Sequence, residues 1–322
     1  MRYRILQGDV LDRLRELPES SVQCVVTSPP YWRQRNYGMS GQMGLEQTPE
    51  IYTDRMVEVF REARRILRED GTLWLNLGDK WASGGNGDGG YKDKDLVGVP
   101  WMVAFALRAD GWYLRQCNIW AKPNCMPESV RDRSTASHEY VFQLSKSNDY
   151  FYDNEAARTP AAPSSETRLA QDVDAQNGSD RGNGGAKSNG PMKAVRSSDK
   201  QRGHSRRHNG FNDRWDAMSV ADQRAMGANL RSVWWISPAQ YGDDHFAVMP
   251  DRLAEICIRA GSREGDIVLD PFNGAGTTGI VALRHGRNYI GIELNSEYAA
   301  MAQRRIADDR PLFNVREEVV TQ

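Results

Sequence analysis

The chain has 322 residues, 39% hydrophobic and 26% charged, with a formal net charge of -1. This length suits one large core with an inserted second unit, and a net charge near zero excludes nucleic-acid binding through a strongly basic whole-molecule field. No run of about 18 apolar residues occurs and the start lacks a signal-peptide core, so we expect no membrane span and a cytoplasmic location.

The first half of the chain alternates strand and helix patterns. Strands are predicted over 3–8, 22–28, 71–79, 112–122 and 138–147, and helices over about 11–17, 49–69 and 97–110. The 49–69 segment has its apolar side chains on one helix face, begins at Thr48-Pro49-Glu50 and is expected to close at Asp70-Gly71. Such alternation predicts an α/β sheet.

Composition changes between about residues 158 and 228, where Gly, Ser, Asn, Asp, Arg and Lys dominate and aliphatic residues are few. This composition is typical of a flexible loop. A DNA-contacting insert is the functional alternative, and the two interpretations are compatible. Beyond it, helices are predicted over about 250–260, 277–286 and 296–306, with strands over 266–270 and 288–294.

The segment 266–279 reads DIVLDPFNGAGTTG, in which Gly274, Gly276 and Gly279 have G-x-G-x-x-G spacing between a strand and a helix. Glycines there allow a tight turn and a close approach to a nucleotide, and we expect a side chain at Gly276 to enter the ligand's space. Glu293 ends the next strand, where an acid can bind ribose hydroxyls.

The nucleotide at this loop is expected to carry a positive charge. Asp270 ends the strand beside the loop and would oppose a pyrophosphate, whereas it suits the amino group of S-adenosylmethionine. The loop also lacks the P-loop lysine of a nucleoside triphosphatase. An NAD-linked oxidoreductase stays open as an alternative.

Near the N-terminus, Thr27-Ser28-Pro29-Pro30-Tyr31-Trp32 follows a β-branched run that is typical of a buried parallel strand. In open α/β sheets, ligands bind at that end of the strands. The Ser28 oxygen and the Pro29 carbonyl could accept hydrogen bonds from an exocyclic base amine, favouring a more tetrahedral and more nucleophilic nitrogen. Tyr31 could stack on a base extracted from the duplex.

These motifs resemble those of the β-group amino-methyltransferases that act on DNA. Both family signatures are intact and in family order, the S/N/D-P-P-Y/F/W tetrapeptide at Ser28–Tyr31 and the D-P-F-x-G-x-G-T-T loop at Asp270–Thr278. Asp9, the segment 120–129 and the segment 245–258 also match family features. The resemblance covers roughly 1–150 and 230–310.

The resemblance implies a Rossmann-like methyltransferase fold with a mostly parallel central sheet and a circularly permuted motif order. Its parts would be a catalytic part of the core (1–157), a flexible target-recognition insert (158–228) and a cofactor-binding part of the same core (229–322). The implied cofactor is S-adenosyl-L-methionine. The implied cofactor-binding residues are Asp9, Asp270, Phe272, Gly274, Gly276, Thr277 and Glu293.

The implied catalytic residues are Ser28, Pro29, Pro30 and Tyr31. Contacts to the target base or DNA are expected from Trp32, Lys122, Asn124, Arg202, Arg206 and Arg207. Lys122 and Asn124 could equally be simple turn residues. Double-stranded DNA is the expected partner, and a homodimer and a cognate restriction endonuclease are compatible with the resemblance.

In the family, a serine at the first tetrapeptide position is associated mainly with methylation of cytosine N4, so Ser28 favours that reaction, by base flipping, over adenine N6. Methylation of cytosine C5 needs a thiolate nucleophile. The four cysteines show no Pro-Cys dipeptide and no zinc spacing. A catalytically inactive DNA-binding homologue and a methyltransferase acting on RNA or protein stay open as alternatives.

Overall fold

The computed structural model of the chain describes residues 1–83, 90–160, 218–219, 222, 226–239, 249–309 and 316–317. The chain divides into two compact units, one of Met1–Ala156 with Arg231–Gln322 and the other of Ala157–Leu230. In the second unit the described residues include an antiparallel bridge between Thr159 and Ala228. The sheet and the candidate site belong to the first unit.

The described part of the first unit forms a nine-stranded sheet and six helices. The strands are β1 (Arg2–Gln7), β2 (Val22–Thr27), β3 (Leu67–Leu77), β4 (Tyr113–Ala121), β5 (His138–Ser145), β6 (Val233–Trp235), β7 (Ile267–Asp270), β8 (Asn288–Glu293) and β9 (Arg316–Glu317). The helices are α1 (Val10–Arg15), α2 (Pro49–Ile66), α3 (Val99–Ala109), α4 (Asp251–Gly261), α5 (Thr277–Arg284) and α6 (Ser296–Asp308).

The strand order is β6-β4-β5-β3-β2-β7-β8-β1-β9. All neighbouring strands run parallel except β5, which is antiparallel to both β3 and β4. The carboxyl ends of the other strands and the start of β5 therefore lie at one edge of the sheet. This topology confirms the predicted α/β class and its mostly parallel sheet.

Strand β2 lies at the centre of the sheet, and each of its residues is buried. It pairs with β7 through Cys24 with Val268 and Val25 with Leu269, although the two strands come from opposite ends of the sequence. The permuted order of the motifs is therefore compatible with adjacent strands. The turn after β2 and the loop after β7 leave the same edge side by side.

Helices cover the sheet on two faces. The main hydrophobic core joins α1, α2 and α3 to strand residues that include Leu73 and Leu75. Their neighbours Thr72 and Trp74 point to the other face, because side chains alternate along a strand. There they approach Gly261 at the end of α4 so closely that an added Cβ would lie 2.7 Å from each.

Helix α2 shows why the sequence folds as it does and where the sequence prediction was wrong. Thr48 caps the helix by accepting a hydrogen bond from the Ile51 amide (3.3 Å), and Pro49 occupies the first turn, as expected. The helix ends at Ile66 rather than at Asp70-Gly71, because Leu67 is already extended and pairs with Val22 of β2. Strand β3 consequently begins four residues before the predicted strand.

No helix in the described ranges combines the length and the apolar character that crossing a membrane requires.

Candidate active site

A cavity of about 460 Å³ opens at the edge where the parallel strands end. Its lining includes the predicted residues Asp9, Ser28, Pro29, Pro30, Tyr31, Lys122, Asp270, Phe272, Gly274, Thr277 and Glu293. We call the part around residues 270–278 and 293 the glycine-loop half and the part around residues 28–31 the tetrapeptide half. The two motifs, far apart in sequence, thus face one space.

Asp270 connects the two halves. It is 4% exposed, and its carboxylate accepts hydrogen bonds from the Thr27 hydroxyl (2.6 Å), the Thr278 hydroxyl (2.8 Å) and the Phe272 amide (3.0 Å). Burial raises the pKa of Asp270 to about 6, although these three bonds oppose the shift. Since Thr27 directly precedes Ser28, the carboxylate holds the end of β2 against the loop after β7.

Two further acids border the glycine-loop half. Glu293 accepts hydrogen bonds from the amides of Gly274 (2.8 Å) and Asn295 (2.9 Å), and burial raises its pKa. Asp9 caps α1 by accepting from the Leu11 amide (2.9 Å). These acids shape the backbone as well as the lining, and they give this half of the cavity an anionic character.

Gly276 does not face the cavity, which corrects the expectation that a side chain there would enter the ligand's space. Its backbone is left-handed, with a φ of +79°, and an added Cβ would lie 2.8 Å from the Cβ of Ala302 in α6. Gly279 likewise approaches the ring of Tyr289 in β8, at 2.5 Å from an added Cβ. These glycines serve helix packing, while Gly274 and Thr277 border the cavity.

Two tyrosines that the sequence analysis did not single out also line the glycine-loop half. Tyr37 comes from the loop after the tetrapeptide and Tyr298 from α6, and their rings meet edge to face with centroids 6.3 Å apart. They provide aromatic surface in the glycine-loop half, near Glu293. Neither stands in a recognisable motif, so only the folded chain reveals them.

In the tetrapeptide half, a hydrogen bond from helix α2 holds the proline turn. The Tyr52 hydroxyl of α2 donates to the Pro30 carbonyl (2.9 Å). No donor from the described ranges bonds to the Pro29 carbonyl. The Ser28 hydroxyl lies 3.1 Å from the Tyr31 hydroxyl and 3.4 Å from the Asn76 side-chain oxygen. Ser28 and Pro29 therefore offer the two acceptors that were predicted for a base amine.

Tyr31 is fixed at both its ring and its hydroxyl. The ring lies against Gly78, where an added Cβ would be 2.7 Å from the ring edge. Its hydroxyl donates to the Glu139 carboxylate at 2.6 Å. Burial, and then the charge of Glu139, raise the pKa of Tyr31 well above its ordinary value, so the phenol stays protonated.

Glu139 and Asn76 are the residues that sequence reasoning missed in this half. Glu139 is the second residue of β5 and accepts from Tyr31, from the Asn76 amide (3.0 Å) and from the Lys122 ammonium. Asn76 is 2% exposed near the end of β3. A polar residue inside the apolar run GTLWLNLGD was the available signal for Asn76. Glu139 needed knowledge that β5 runs antiparallel.

Trp32 does not present its ring at the surface, where the expected DNA contact would need it. It is 2% exposed within the main core, and its indole N–H donates to the Glu46 carbonyl (3.0 Å). The ammonium of Lys80 lies 5.1 Å from the ring centroid. The loop after the tetrapeptide folds over the indole and removes it from the surface.

The remaining predicted contacts are distributed as follows. Lys122 lines the cavity, forms the ion pair with Glu139, and its ammonium lies 4.5 Å from the Trp120 ring centroid. Asn124 is exposed in a turn and does not line the cavity. Arg202, Arg206 and Arg207 lie outside the described residues.

A permuted, mostly parallel sheet with an S-P-P-Y turn and a glycine loop at one cavity defines a Rossmann-like methyltransferase. A family model described as DNA methylase, for N6 and N4 methyltransferases, matches residues 22–304. The chain belongs to this DNA methylase family. The predicted class, a DNA amino-methyltransferase with S-adenosyl-L-methionine as cofactor, is thereby confirmed.

Among its relatives, the Type II methyltransferase M.SmaI of Serratia marcescens is 40% identical over 322 residues, covering 94% of this chain and 90% of its own. Among solved structures, TTHA0409 of Thermus thermophilus in complex with S-adenosyl-L-methionine is 25% identical with a TM-score of 0.58, covering 98% and 100% of the two chains. The cytosine-N4-specific PvuII DNA methyltransferase shares the fold, with a TM-score of 0.60 at 18% identity and coverage of 99% and 98%.

Proposed function

We propose that this chain transfers a methyl group from S-adenosyl-L-methionine to N4 of a cytosine flipped out of duplex DNA. The observation that carries the proposal is the Thr27–Asp270 hydrogen bond of 2.6 Å. It joins the turn suited to a base amine to the loop suited to a nucleotide, across one cavity. A methyl donor and an acceptor nitrogen in that cavity can meet without any large movement of the sheet.

The glycine-loop half fits a cationic nucleotide better than a pyrophosphate. Asp9, Asp270 and Glu293 border it, and carboxylates attract a positive amino group and accept hydrogen bonds from ribose hydroxyls. Phe272 and the pair Tyr37–Tyr298 offer aromatic surface for a base. When bound, S-adenosylmethionine supplies an electrophilic methyl group on a sulfonium.

The tetrapeptide half would hold the amine that receives the methyl group. The Ser28 oxygen and the Pro29 carbonyl accept from its two N–H groups and so favour a more tetrahedral nitrogen. Tyr52 keeps the turn in place through the Pro30 carbonyl. Tyr31 borders the base on one side, with its ring pressed on Gly78 and unable to turn away. These groups act before the methyl group is transferred.

Two features favour cytosine over adenine. Ser28 stands at the first tetrapeptide position, where the resembling family has serine mainly in N4-cytosine enzymes. Lys122 also borders the same half of the cavity with ammonium donors. On its Watson–Crick edge cytosine carries two acceptors beside its amine, N3 and O2, whereas adenine carries only N1 on that edge and its N7 on the opposite one. N6-adenine methylation is the alternative outcome.

DNA contacts outside the cavity and partner proteins are further parts of the proposal. We assign target recognition to the insert 158–228, with Arg202, Arg206 and Arg207 binding phosphates or base edges. The relationship to M.SmaI, named a Type II methyltransferase, supports a cognate restriction endonuclease as partner. A homodimer in solution remains a prediction. The intact tetrapeptide and glycine loop speak against an inactive DNA-binding homologue.

The test is methyl transfer from tritiated S-adenosylmethionine to unmethylated duplex DNA, with RNA and protein substrates as parallel arms. The DNA product is digested to nucleosides and separated by mass. Label in N4-methyldeoxycytidine supports the proposal, and label in N6-methyldeoxyadenosine supports the alternative. Absence of transfer to every DNA, with cofactor binding intact, would overturn it.

A further inference from the structure

Glu139 occupies an unusual place for an acid that the tetrapeptide mechanism does not use. Its side chain is 14% exposed, and it reaches the cavity from the only strand of the described sheet that runs antiparallel to its neighbours. It accepts hydrogen bonds from Tyr31 and Asn76 and pairs with Lys122. A largely buried carboxylate that is hydrogen-bonded to the tetrapeptide calls for a chemical explanation.

A continuous path of hydrogen bonds leads from Ser28 to this carboxylate. The Tyr31 hydroxyl donates its proton to Glu139 at 2.6 Å. Its oxygen is then left to accept from the Ser28 hydroxyl, 3.1 Å away. The Ser28 hydroxyl has one proton and two acceptors within reach, the Tyr31 oxygen at 3.1 Å and the Asn76 side-chain oxygen at 3.4 Å. The relay uses the shorter contact, in which Ser28 donates to Tyr31 and its lone pairs are free to accept from a base amine.

We propose that Glu139, acting through Tyr31 and Ser28, takes up the proton that the amine must release on methylation. The proposal rests on the proposed function. The lone pair of the amine nitrogen forms a bond to the methyl carbon as the carbon–sulfur bond breaks. The electron pair of the broken bond stays on sulfur. One N–H proton passes to Ser28, the Ser28 proton to Tyr31, and the Tyr31 proton to the carboxylate. Glu139 ends neutral, and both hydroxyls are regenerated.

The surroundings support this direction of transfer. Lys122 pairs with the Glu139 carboxylate and holds it beside the Tyr31 hydroxyl. Burial and the charge of Glu139 keep the pKa of Tyr31 high, so its hydroxyl passes a proton on as it receives another and does not become a phenolate. Asp270, the other buried carboxylate near the turn, already accepts three protein hydrogen bonds. Glu139 is thus a positioning residue, because it reaches the reacting atoms only through Tyr31.

The experiment measures single-turnover methyl transfer on saturating duplex DNA for wild type, Glu139→Gln, Tyr31→Phe and the double variant. Each single change should lower the rate about 10²-fold, within the range for general acid–base groups. Dissociation constants for S-adenosylmethionine and DNA should stay within about threefold of wild type. The double variant should transfer the methyl group no more slowly than the slower single variant, because groups that act as a unit are not additive. The matched control is Glu62→Gln, which removes a partly buried acid paired with Arg65 away from the cavity and should not change the rate.

A second variant separates proton uptake from a structural role. Glu139→Ala with added formate or acetate should regain at least tenfold in rate, while chloride at the same ionic strength should not. Chloride can neutralise Lys122 but is a very weak proton acceptor. Unchanged transfer in Glu139→Gln, or equal recovery with chloride, would overturn the relay. Wild-type transfer in the same assay tests the proposed function independently, so failure of the relay is distinguishable from failure of the enzyme assignment.

Discussion

The hydroxyl of Thr27 donates a 2.6 Å hydrogen bond to the carboxylate of Asp270, a residue 243 positions further along the chain. Both side chains are almost fully excluded from solvent. Because Thr27 directly precedes the tetrapeptide and Asp270 begins the glycine loop, the position of the proline turn is coupled to that of the loop. A substitution at either residue should therefore alter the geometry of both halves of the cavity.

Replacing Thr27 with Val should weaken cofactor binding although Thr27 does not line the cavity. Valine has the same shape as threonine, but the carboxylate of Asp270 loses a buried hydrogen-bond donor. This loss lowers the free energy of unfolding by about 1–3 kcal/mol. We expect a lower melting temperature and a severalfold higher dissociation constant for S-adenosylmethionine by calorimetry. Thr53→Val, which removes a buried hydroxyl bonded to Pro49 in α2, is the control and should affect stability alone. Identical cofactor binding in both variants would speak against the coupling.

The raised pKa of Asp270 predicts opposite pH dependences for binding and stability. Below about pH 6 the carboxylate takes up a proton, so attraction for a cationic amino group weakens, by roughly tenfold per pH unit at most. Stability changes in the other direction. A folded-state pKa above the ordinary 3.8 contributes stability at low pH that is lost as pH rises through about 6. Differences between wild type and Asp270→Asn isolate this group, and a binding difference that does not vary from pH 5 to 7 would contradict the assignment.

Gly276→Ala should destabilise the loop by backbone strain and by collision with α6. The left-handed φ of +79° costs a non-glycine residue about 1–2 kcal/mol, and the added Cβ would lie 2.8 Å from that of Ala302. The second change Ala302→Gly should recover part of the lost unfolding free energy, because it removes the collision but not the strain. Gly274→Ala would meet only the Phe272 carbonyl oxygen, at 4.0 Å from the added Cβ, and should cost less. Denaturant titration compares these three variants with wild type and with Ala302→Gly alone, because a glycine inside α6 itself costs about 1 kcal/mol. If Gly276→Ala costs as much in the Ala302→Gly background as in wild type, the packing role is refuted.

Trp32→Phe should reduce stability without altering DNA affinity. The change removes the hydrogen bond to the Glu46 carbonyl and leaves a small void in the core, together about 1–3 kcal/mol. Denaturant titration and DNA binding at fixed salt check the two parts. Weakened DNA binding at unchanged stability would restore the surface role first expected for this indole.

Ser28→Ala should slow methyl transfer much more than it weakens cofactor binding. The hydroxyl borders the tetrapeptide half, where loss of one aligned polar group at a reacting centre can cost about 10²–10³-fold in rate. Single-turnover rates and cofactor titration provide the comparison. If the transfer rate and the affinity for the cofactor fell by the same factor, Ser28 would be a cofactor-binding residue, which contradicts its assigned role.

Local patterns predicted most of the elements because their causes are local. The helix face of 49–66, the β-branched run before Pro29 and the glycine spacing at 274–279 each reflect constraints within a few residues. The end of α2 was misjudged because Leu67 leaves the helix to pair with Val22, a contact between distant segments. The adjacency of β2 and β7 has no local signal, because the two strands come from opposite ends of the sequence.

The candidate site was predictable where motifs are contiguous and unpredictable where the fold assembles it. Trp32 follows Tyr31 directly and looks equally available, yet the chain up to Glu46 folds back over its indole. Glu139 belongs to an ordinary strand pattern, and only its pairing opposite Trp120 brings it to the cavity. Neither outcome is encoded within a short window of sequence.

The reversed direction of β5 has a consequence for how specificity can change. Residues 122–137 leave the active edge from β4 and return to it, and the Lys122 amide donates to the Ser137 carbonyl at 2.8 Å where the hairpin closes. A segment anchored at both ends in this way can be exchanged as a cassette, varying in length and sequence. Such an exchange would change the cavity beside Lys122, whereas the sheet register, the glycine-loop half and the insert proposed for target recognition would be inherited intact.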